Sequence, residues 1–211
     1  MYDLPYYKEH DHEEIIQFMK DHPFVFLTGS DEDHKPVVTQ IPVFIDEKEG
    51  KYFLTGHIMR NTDHHKSFEQ NKNVLAVFTG PHTYVSATLY SNPSQASTWN
   101  YMSVHAHGNI RFGDADELRS ILKRLTLHYE NNNTASTTVF DNLSNEYTER
   151  LMKAIVPFEI EINDLQHVFK LSQDRDEKSY DNIVMQLKKQ EGDAKKIAEI
   201  MVKRKSKVFP S

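Results

Sequence analysis

VLAVFTGPHTYVS at residues 74–86 and WNYMSVHAHGNIRF at residues 99–112 are the two segments that decide the fold. Both are rich in Val, Phe, Tyr and Trp, the residue types that favour β-strands. Gly80-Pro81 predicts a tight corner that divides the first segment into two strands. Gly108 predicts a bend or a bulge within the second segment, which otherwise reads as one long strand. We therefore expect a β-sheet in the middle of the chain.

Further strand signals lie on both sides of these segments. Polar, turn-forming residues at 29–36 predict a hairpin, and a second turn at 46–50 leads into another strand. Pro157 precedes the last two strand signals. The additional predicted strands are 24–28, 37–45, 51–56, 158–162 and 167–171. Six to eight short strands of this kind, joined by hairpins, are typical of a small barrel.

Helical periodicity surrounds and interrupts the strands. The first helix is predicted between Asp11, which caps it together with Glu14, and Pro23, which ends it. The other predicted helices are 62–70, 114–130, 144–154, 180–189 and 193–203, the last two separated at Gly192. The fold class that we predict is mainly β with helical cover (α+β).

Size and composition exclude several classes of protein. The chain has 211 residues and a mean hydropathy of −0.66, and no apolar run approaches the length of a membrane-spanning helix. Because the N-terminus also lacks the basic and apolar regions of a signal peptide, we expect a cytoplasmic protein without membrane contact. The absence of cysteine excludes disulfides, thiol nucleophiles and cysteine-ligated metals, so redox chemistry requires a bound cofactor.

Charge is distributed unevenly along the chain. The formal net charge is −6, yet the segment from Ile183 to Ser211 carries eight Lys and Arg against three Asp and Glu. Such a basic tail attracts phosphate or an acidic partner, although lysines at this spacing are also typical of a solvated helix face. We expect a barrel domain with inserted helices at 1–176 and a basic helical appendage at 177–211.

The segment 54–62, LTGHIMRNT, is the best candidate for ligand binding. A strand is expected to end at Gly56, and one turn then presents His57, Arg60 and Asn61 before a helix begins. A planar guanidinium beside the amides of a helix N-terminus is suited to phosphate. Lys66 is expected one turn into that helix. The alternative is a capped helix start with a surface arginine.

Two other groups of residues are weaker candidates for ligand binding. Trp99 and Asn100 suit the wall of a planar ligand, although aromatic residues in strands are more often part of the core. His105 and His107 lie on one face of a strand and can chelate a metal, but no acidic residue joins them at a diagnostic spacing, and we predict no metal site. Motifs for zinc proteases, α/β-hydrolases, dinucleotide-binding folds and P-loops are absent.

Taken together and in their order, these motifs resemble the PaiB family of bacterial proteins, which belongs to the FMN-binding split-barrel superfamily. The matching segments are TQIP (39–42), GHIMRN (56–61), VFTGPHTYVS (77–86), TWNY (98–101) with Val104-His105, and KLSQDR (170–175). The resemblance implies a six-stranded split β-barrel that dimerises and holds FMN near the subunit interface. It also implies a negative transcriptional regulator.

The resemblance implies roles for nine residues. Arg60, Asn61 and His57 are expected to hold the FMN phosphate, with Lys66 a weaker candidate. The other five residues are expected at the ring system: Thr39, Gln40 and Thr55 at the isoalloxazine edge, with Trp99 and Asn100 supplied by the partner subunit. The chain departs from the family at Gln40, where histidine is expected, and at Asp174, where asparagine is usual.

The resemblance leaves several functions open. An FMN-binding regulatory or sensor protein is the reading that we favour, and a flavin-dependent oxidoreductase acting on a small molecule is the alternative, because both occur on this fold. Haem is a less favoured cofactor than FMN, with histidines as axial ligands. Direct DNA binding rests on the basic tail, although the acidic balance of the whole chain opposes it.

Overall fold

The computed structural model describes residues 1–2, 4–92 and 94–210. Within these residues the strands are β1 (Phe24–Ser30), β2 (Pro36–Pro42), β3 (Phe44–Lys48), β4 (Lys51–Met59), β5 (Asn73–Val85), β6 (Thr98–Phe112) and β7 (Ile155–Lys170). The helices of the same residues are α1 (His12–Asp21), α2 (Asp63–Gln70), α3 (Ala115–Tyr129), α4 (Asn145–Ala154), α5 (Glu177–Leu187) and α6 (Asp193–Val208).

The strands form one sheet in the order β2-β1-β5-β6-β7-β4-β3. The pairs β1–β2, β1–β5, β3–β4 and β4–β7 are antiparallel. The sheet with its covering helices is a split β-barrel, so the predicted fold class is confirmed. The described residues contribute seven strands rather than six, because the predicted strand 37–45 divides at Val43 into β2, which pairs with β1, and β3, which pairs with β4.

The chain divides into two compact units, and β5, β6 and β7 contribute residues to both. The first unit comprises Met1–His22, Thr79–Val104 and Gln166–Ser211, and the second comprises Pro23–Phe78 and His105–Leu165. Fully buried side chains form a core in each unit. Those of the first unit include Met19, Val85, Phe169, Tyr180, Ile197 and Met201, and those of the second include Leu27, Leu54, Phe68, Ile110, Phe158 and Ile160. The predicted boundary at residue 176 stays a prediction.

The predicted corner at Gly80-Pro81 is wrong, because β5 runs through it without interruption. Glycine is needed at position 80 for a different reason: a Cβ there would lie 2.6 Å from the ring of Phe18. Gly108 has a similar role, since its Cβ would lie 2.2 Å from the carbonyl oxygen of Glu161. Both glycines therefore allow close packing within a strand, and the bend or bulge at Gly108 stays a prediction.

The last two predicted strands, 158–162 and 167–171, are one strand, β7, which begins before Pro157. From sequence alone, the polar residues at the centre of this segment suggest a loop. In the structure they are part of the continuous strand. The predicted helices are all present, with ends shifted by a few residues. Asp114 and Glu117 form a capping box at α3, and Gly192 begins α6 with a φ of 64°, which explains the break before that helix.

Candidate functional site

The connection between β4 and α2 lies in the second unit and differs from its prediction in one respect. β4 continues past Gly56 to Met59, so His57 lies on a strand and not in the turn. Asn61 has a φ of 62°, the left-handed conformation that asparagine tolerates well. The Thr62 hydroxyl accepts the His65 amide at 3.3 Å and caps α2. The turn that remains, residues 60–62, is short and closely fixed.

Arg60 is held in place by the end of α4. Its backbone amide donates to the carbonyl of Ala154 at 2.9 Å, and its side-chain Nε donates to the carbonyl of Ile155 at 2.9 Å. No described residue accepts a hydrogen bond from its terminal nitrogens. The guanidinium is therefore oriented by the backbone while its two terminal nitrogens remain available to an anion.

The Arg60 side chain lines a cavity of about 480 Å³, a size suited to small-molecule ligands. The other lining residues are Ala115, Leu118, Arg119, Glu149, Met152 and Lys153. Cations outnumber acids among them, and the apolar side chains come from α3 and α4. A phosphate group and an adjoining apolar surface both fit this lining.

His57 and Lys66, the two other predicted phosphate ligands, do not add positive charge to the cavity at Arg60. Burial lowers the pKa of His57, so its imidazole is neutral near pH 7 and can offer a hydrogen bond but not a positive charge. Lys66 is exposed on α2, where its amide donates to the Thr62 carbonyl at 3.2 Å. Neither residue lines the cavity at Arg60.

Thr55 lies at a second cavity of the same unit, of about 580 Å³. Its hydroxyl donates to Asp46 Oδ2 at 2.9 Å, and Arg124 donates to the same carboxylate at 2.8 Å. Burial opposes the ionisation of Asp46, but these hydrogen bonds prevail and lower its pKa. The Thr55 proton is thus engaged, and only its oxygen can accept a bond from a ligand.

Charged side chains surround this second cavity. Lys48 contacts Glu159 at 2.6 Å, and Arg111 bridges Glu159 and Glu117 at 2.9 and 2.8 Å. Sequence reasoning missed this network because its members come from three separate parts of the chain. The cations in it are already neutralised, which distinguishes it from the cavity at Arg60.

Thr39 and Gln40 are neighbours on β2, so their side chains point to opposite faces of the strand. Thr39 pairs with Leu27, which is fully buried, and is itself half-buried. Gln40 pairs with Phe26 and is exposed. A ligand on one face of β2 can therefore contact one of the two side chains but not both.

Trp99 and Asn100 lie in the first unit, also on opposite faces of a strand. Trp99 is 51% exposed and contacts the rings of His82 and Tyr84, with centroids 5.6 and 6.3 Å away. It lines a cavity of about 390 Å³, whose mainly apolar walls suit a planar ring. Asn100 has no exposed surface, and its side-chain oxygen accepts the Ser172 hydroxyl at 2.9 Å. In the single chain, Asn100 therefore has no atom that a ligand can contact.

The basic tail forms ion pairs within the first unit. Arg204 binds Glu9 and Glu14, and Lys205 contacts Asp181 at 2.8 Å. Lys207 also pairs with Glu14. The three cations near the end of α6 are thus occupied by acids of the same chain.

Two other features concern ligands and membranes. Among residues 1–2, 4–92 and 94–210, no three His, Asp or Glu side chains come together as a metal site requires. In the same residues, every helix is too short or too polar to cross a bilayer.

Comparisons with known proteins identify the family. The model described as "Putative FMN-binding domain" matches residues 1–164. The protease synthase and sporulation protein PAI 2 of Bacillus subtilis is 35% identical over 202 residues, which cover 95% of this chain and 96% of that protein. A protein of Emericella nidulans is 25% identical, with 81% of this chain and 83% of that protein covered.

Solved structures share the fold at low identity. A conserved hypothetical protein of Mycobacterium tuberculosis matches with a TM-score of 0.57 and 12% identity, over 81% of this chain and 91% of its own. The FAD and heme binding protein of Mycobacterium smegmatis also matches with a TM-score of 0.57, at 15% identity, over 77% and 72% of the two chains. The family model and the PAI 2 relative together place this chain in the PaiB-like family of FMN-binding-domain proteins.

Proposed function

We propose that this protein binds FMN and acts as a regulatory or sensor protein. The observation that carries the proposal is Arg60, which lines a cavity large enough for a ligand and whose guanidinium is fixed through Nε, with its terminal nitrogens bonded to no described residue. Arg60 binds the phosphate in this proposal, with Asn61 beside it in the turn, whereas His57 lies outside the cavity lining. Bound flavin supplies one- and two-electron chemistry, and the protein supplies orientation and access.

A regulatory role is supported by the relative from Bacillus subtilis, whose name refers to protease synthesis and sporulation. Regulation through a small molecule or a protein partner fits this chain better than direct DNA contact. The reason is that Arg204, Lys205 and Lys207 already pair with carboxylates, which reduces the charge that the tail offers to DNA phosphates.

A homodimer is part of the proposal. Phe24, Phe26 and Val38 are exposed, and their register places them on one face of the β1–β2 hairpin. An exposed apolar sheet face of this kind is typical of a subunit interface. In such a dimer we expect the second subunit to contribute its Trp99. Light scattering of the purified protein tests the oligomeric state, and a strictly monomeric protein at micromolar concentration contradicts it.

Quenching of flavin fluorescence by the purified protein tests the proposed cofactor. We expect one FMN per chain and, for Arg60→Ala, an affinity for FMN about 10- to 100-fold weaker, because charge-assisted hydrogen bonds contribute about 1.5–3 kcal/mol. Affinity for riboflavin, which lacks the phosphate, should stay the same. Arg150→Ala is the matched control, since Arg150 lies on α4 against the Tyr147 ring and outside the cavity lining.

The outcomes separate the alternatives. A wild-type chain that takes up no FMN, or an Arg60→Ala variant that binds FMN as tightly as wild type, contradicts the proposed site. Preference for FAD or haem over FMN contradicts the proposed cofactor. Steady turnover of a reduced nicotinamide by the FMN-loaded protein shows an oxidoreductase instead of a regulator.

A further inference from the structure

Two cations besides Arg60 line the cavity of about 480 Å³ in the second unit. Arg119 comes from the first half of α3 and Lys153 from the last turn of α4, so two helices and the turn at Arg60 supply the positive charges. Glu149 is the one carboxylate among the lining residues. A cavity with three cations and one acid is unusual in a chain whose formal net charge is −6.

The three cations are also unpaired, whereas other basic residues of the same unit are paired. Arg111, Arg124 and Lys123 each contact a carboxylate at 2.7–2.9 Å. In the described part of the chain, Arg60, Arg119 and Lys153 take part in no ion pair of this kind. Unpaired cations that converge on one cavity repel one another, and an anion between them removes that repulsion.

Contacts within the chain orient the two arginines, and the position of the lysine on its helix favours a positive charge. Nε of Arg60 is bound to the Ile155 carbonyl, and the guanidinium of Arg119 lies 5.9 Å from the centroid of the Phe140 ring. Lys153 lies at the C-terminal end of α4, where the helix dipole favours a positive charge. Ala115, Leu118 and Met152 provide an apolar surface beside the charges.

We propose that Arg119 and Lys153 are phosphate ligands, so that α3 and α4, the two helices inserted between β6 and β7, complete the site that begins at Arg60. The inference rests on the proposed function, since the anion is the phosphate of FMN. That group carries between one and two negative charges at neutral pH and three acceptor oxygens. Three cations from two helices and one turn match both properties.

Parallel titrations with FMN and riboflavin test this assignment. Arg119→Ala and Lys153→Ala should each weaken FMN binding about three- to tenfold, because each removes one exposed charge from the phosphate. Riboflavin binding should not change. Glu149→Gln should strengthen FMN binding about two- to threefold, since it removes the one negative charge. Lys123→Ala is the matched control, because Lys123 lies on α3 and pairs with Asp141 away from the cavity lining.

The results distinguish this inference from the proposed function. If wild type binds FMN and the Arg119 and Lys153 variants bind it equally well, the inference fails and the proposed function stands. If both variants lose FMN and riboflavin to the same degree, the two residues are structural and the inference also fails. If wild type takes up no FMN, both fail together. An affinity gain in Glu149→Gln is a change that general damage to the fold cannot produce.

Discussion

Two groups of basic side chains in this protein differ in what surrounds them. Arg60, Arg119 and Lys153 line a cavity in the second unit with no carboxylate paired to them among the described ion pairs. Arg204, Lys205 and Lys207 in the first unit each contact at least one acid of the same chain. The residue types are the same, so composition cannot separate them. The difference teaches that cations already neutralised within the fold contribute to stability, whereas cations left without a partner are suited to a ligand.

The strongest test of the paired group is Arg204→Ala. Glu9 is 7% exposed and binds Arg204, so the substitution removes the closest cation from a buried carboxylate and leaves only the more distant Lys207, at 3.9 Å. We expect the free energy of unfolding to fall by about 3 kcal/mol in urea denaturation, with little change in FMN affinity. Lys203→Ala is the control, because Lys203 is exposed on the same helix. A loss below about 1 kcal/mol would show that this pair is not structural.

Acid should lower the stability that this ion pair contributes by less than Arg204→Ala does. The reason is that a protonated Glu9 needs no counter-charge. Burial opposes the ionisation of Glu9, yet hydrogen bonds from the Asp11 amide and from Arg204 lower its pKa to about 2 from 4.5. A lowered pKa stabilises the fold above the unfolded value, so this stability is lost as the pH falls from about 4.5 towards about 2. Urea denaturation across that range should show a shallower pH dependence for Arg204→Ala than for wild type.

Arg60→Ala should have the opposite profile to Arg204→Ala. The substitution removes one hydrogen bond, from Nε to the Ile155 carbonyl, and leaves no buried charge. We expect the free energy of unfolding to fall by about 1 kcal/mol or less, although FMN affinity falls strongly. Urea denaturation of the flavin-free protein measures this, with Arg150→Ala alongside. A loss as large as that of Arg204→Ala would remove the distinction between the two groups.

The smallest effect is expected at Lys205. Its contacts with Glu177 at 3.0 Å and Asp181 at 2.8 Å are pairs between partly exposed side chains. Such pairs contribute little, so Lys205→Ala should lower the free energy of unfolding less than any of the other substitutions, and 0.5 M salt should remove most of that difference. A larger, salt-independent loss would mean that even exposed tail cations have a structural role.

Local sequence predicted most of the elements but not all of their boundaries. The helices were predicted because their signals are local, such as Asp114 with Glu117 and the break at Gly192. Gly80 predicts a corner, but it lies in an unbroken strand and makes room for the Phe18 ring, and Gly108 makes room for the Glu161 carbonyl. Those contacts are distant in sequence, so no local pattern reveals them.

The sequence by itself determined the fold class, the family and Arg60 as a phosphate candidate, because these depend on strand periodicity, turn residues and the order of short motifs. Only the tertiary structure decided which cations are paired. It assigned Arg204 to Glu9 and Glu14, nearly two hundred residues away, and it brought Arg119 and Lys153 to the cavity at Arg60. The physical reason is that electrostatic interactions depend on distance and burial in space, and separation along the chain specifies neither.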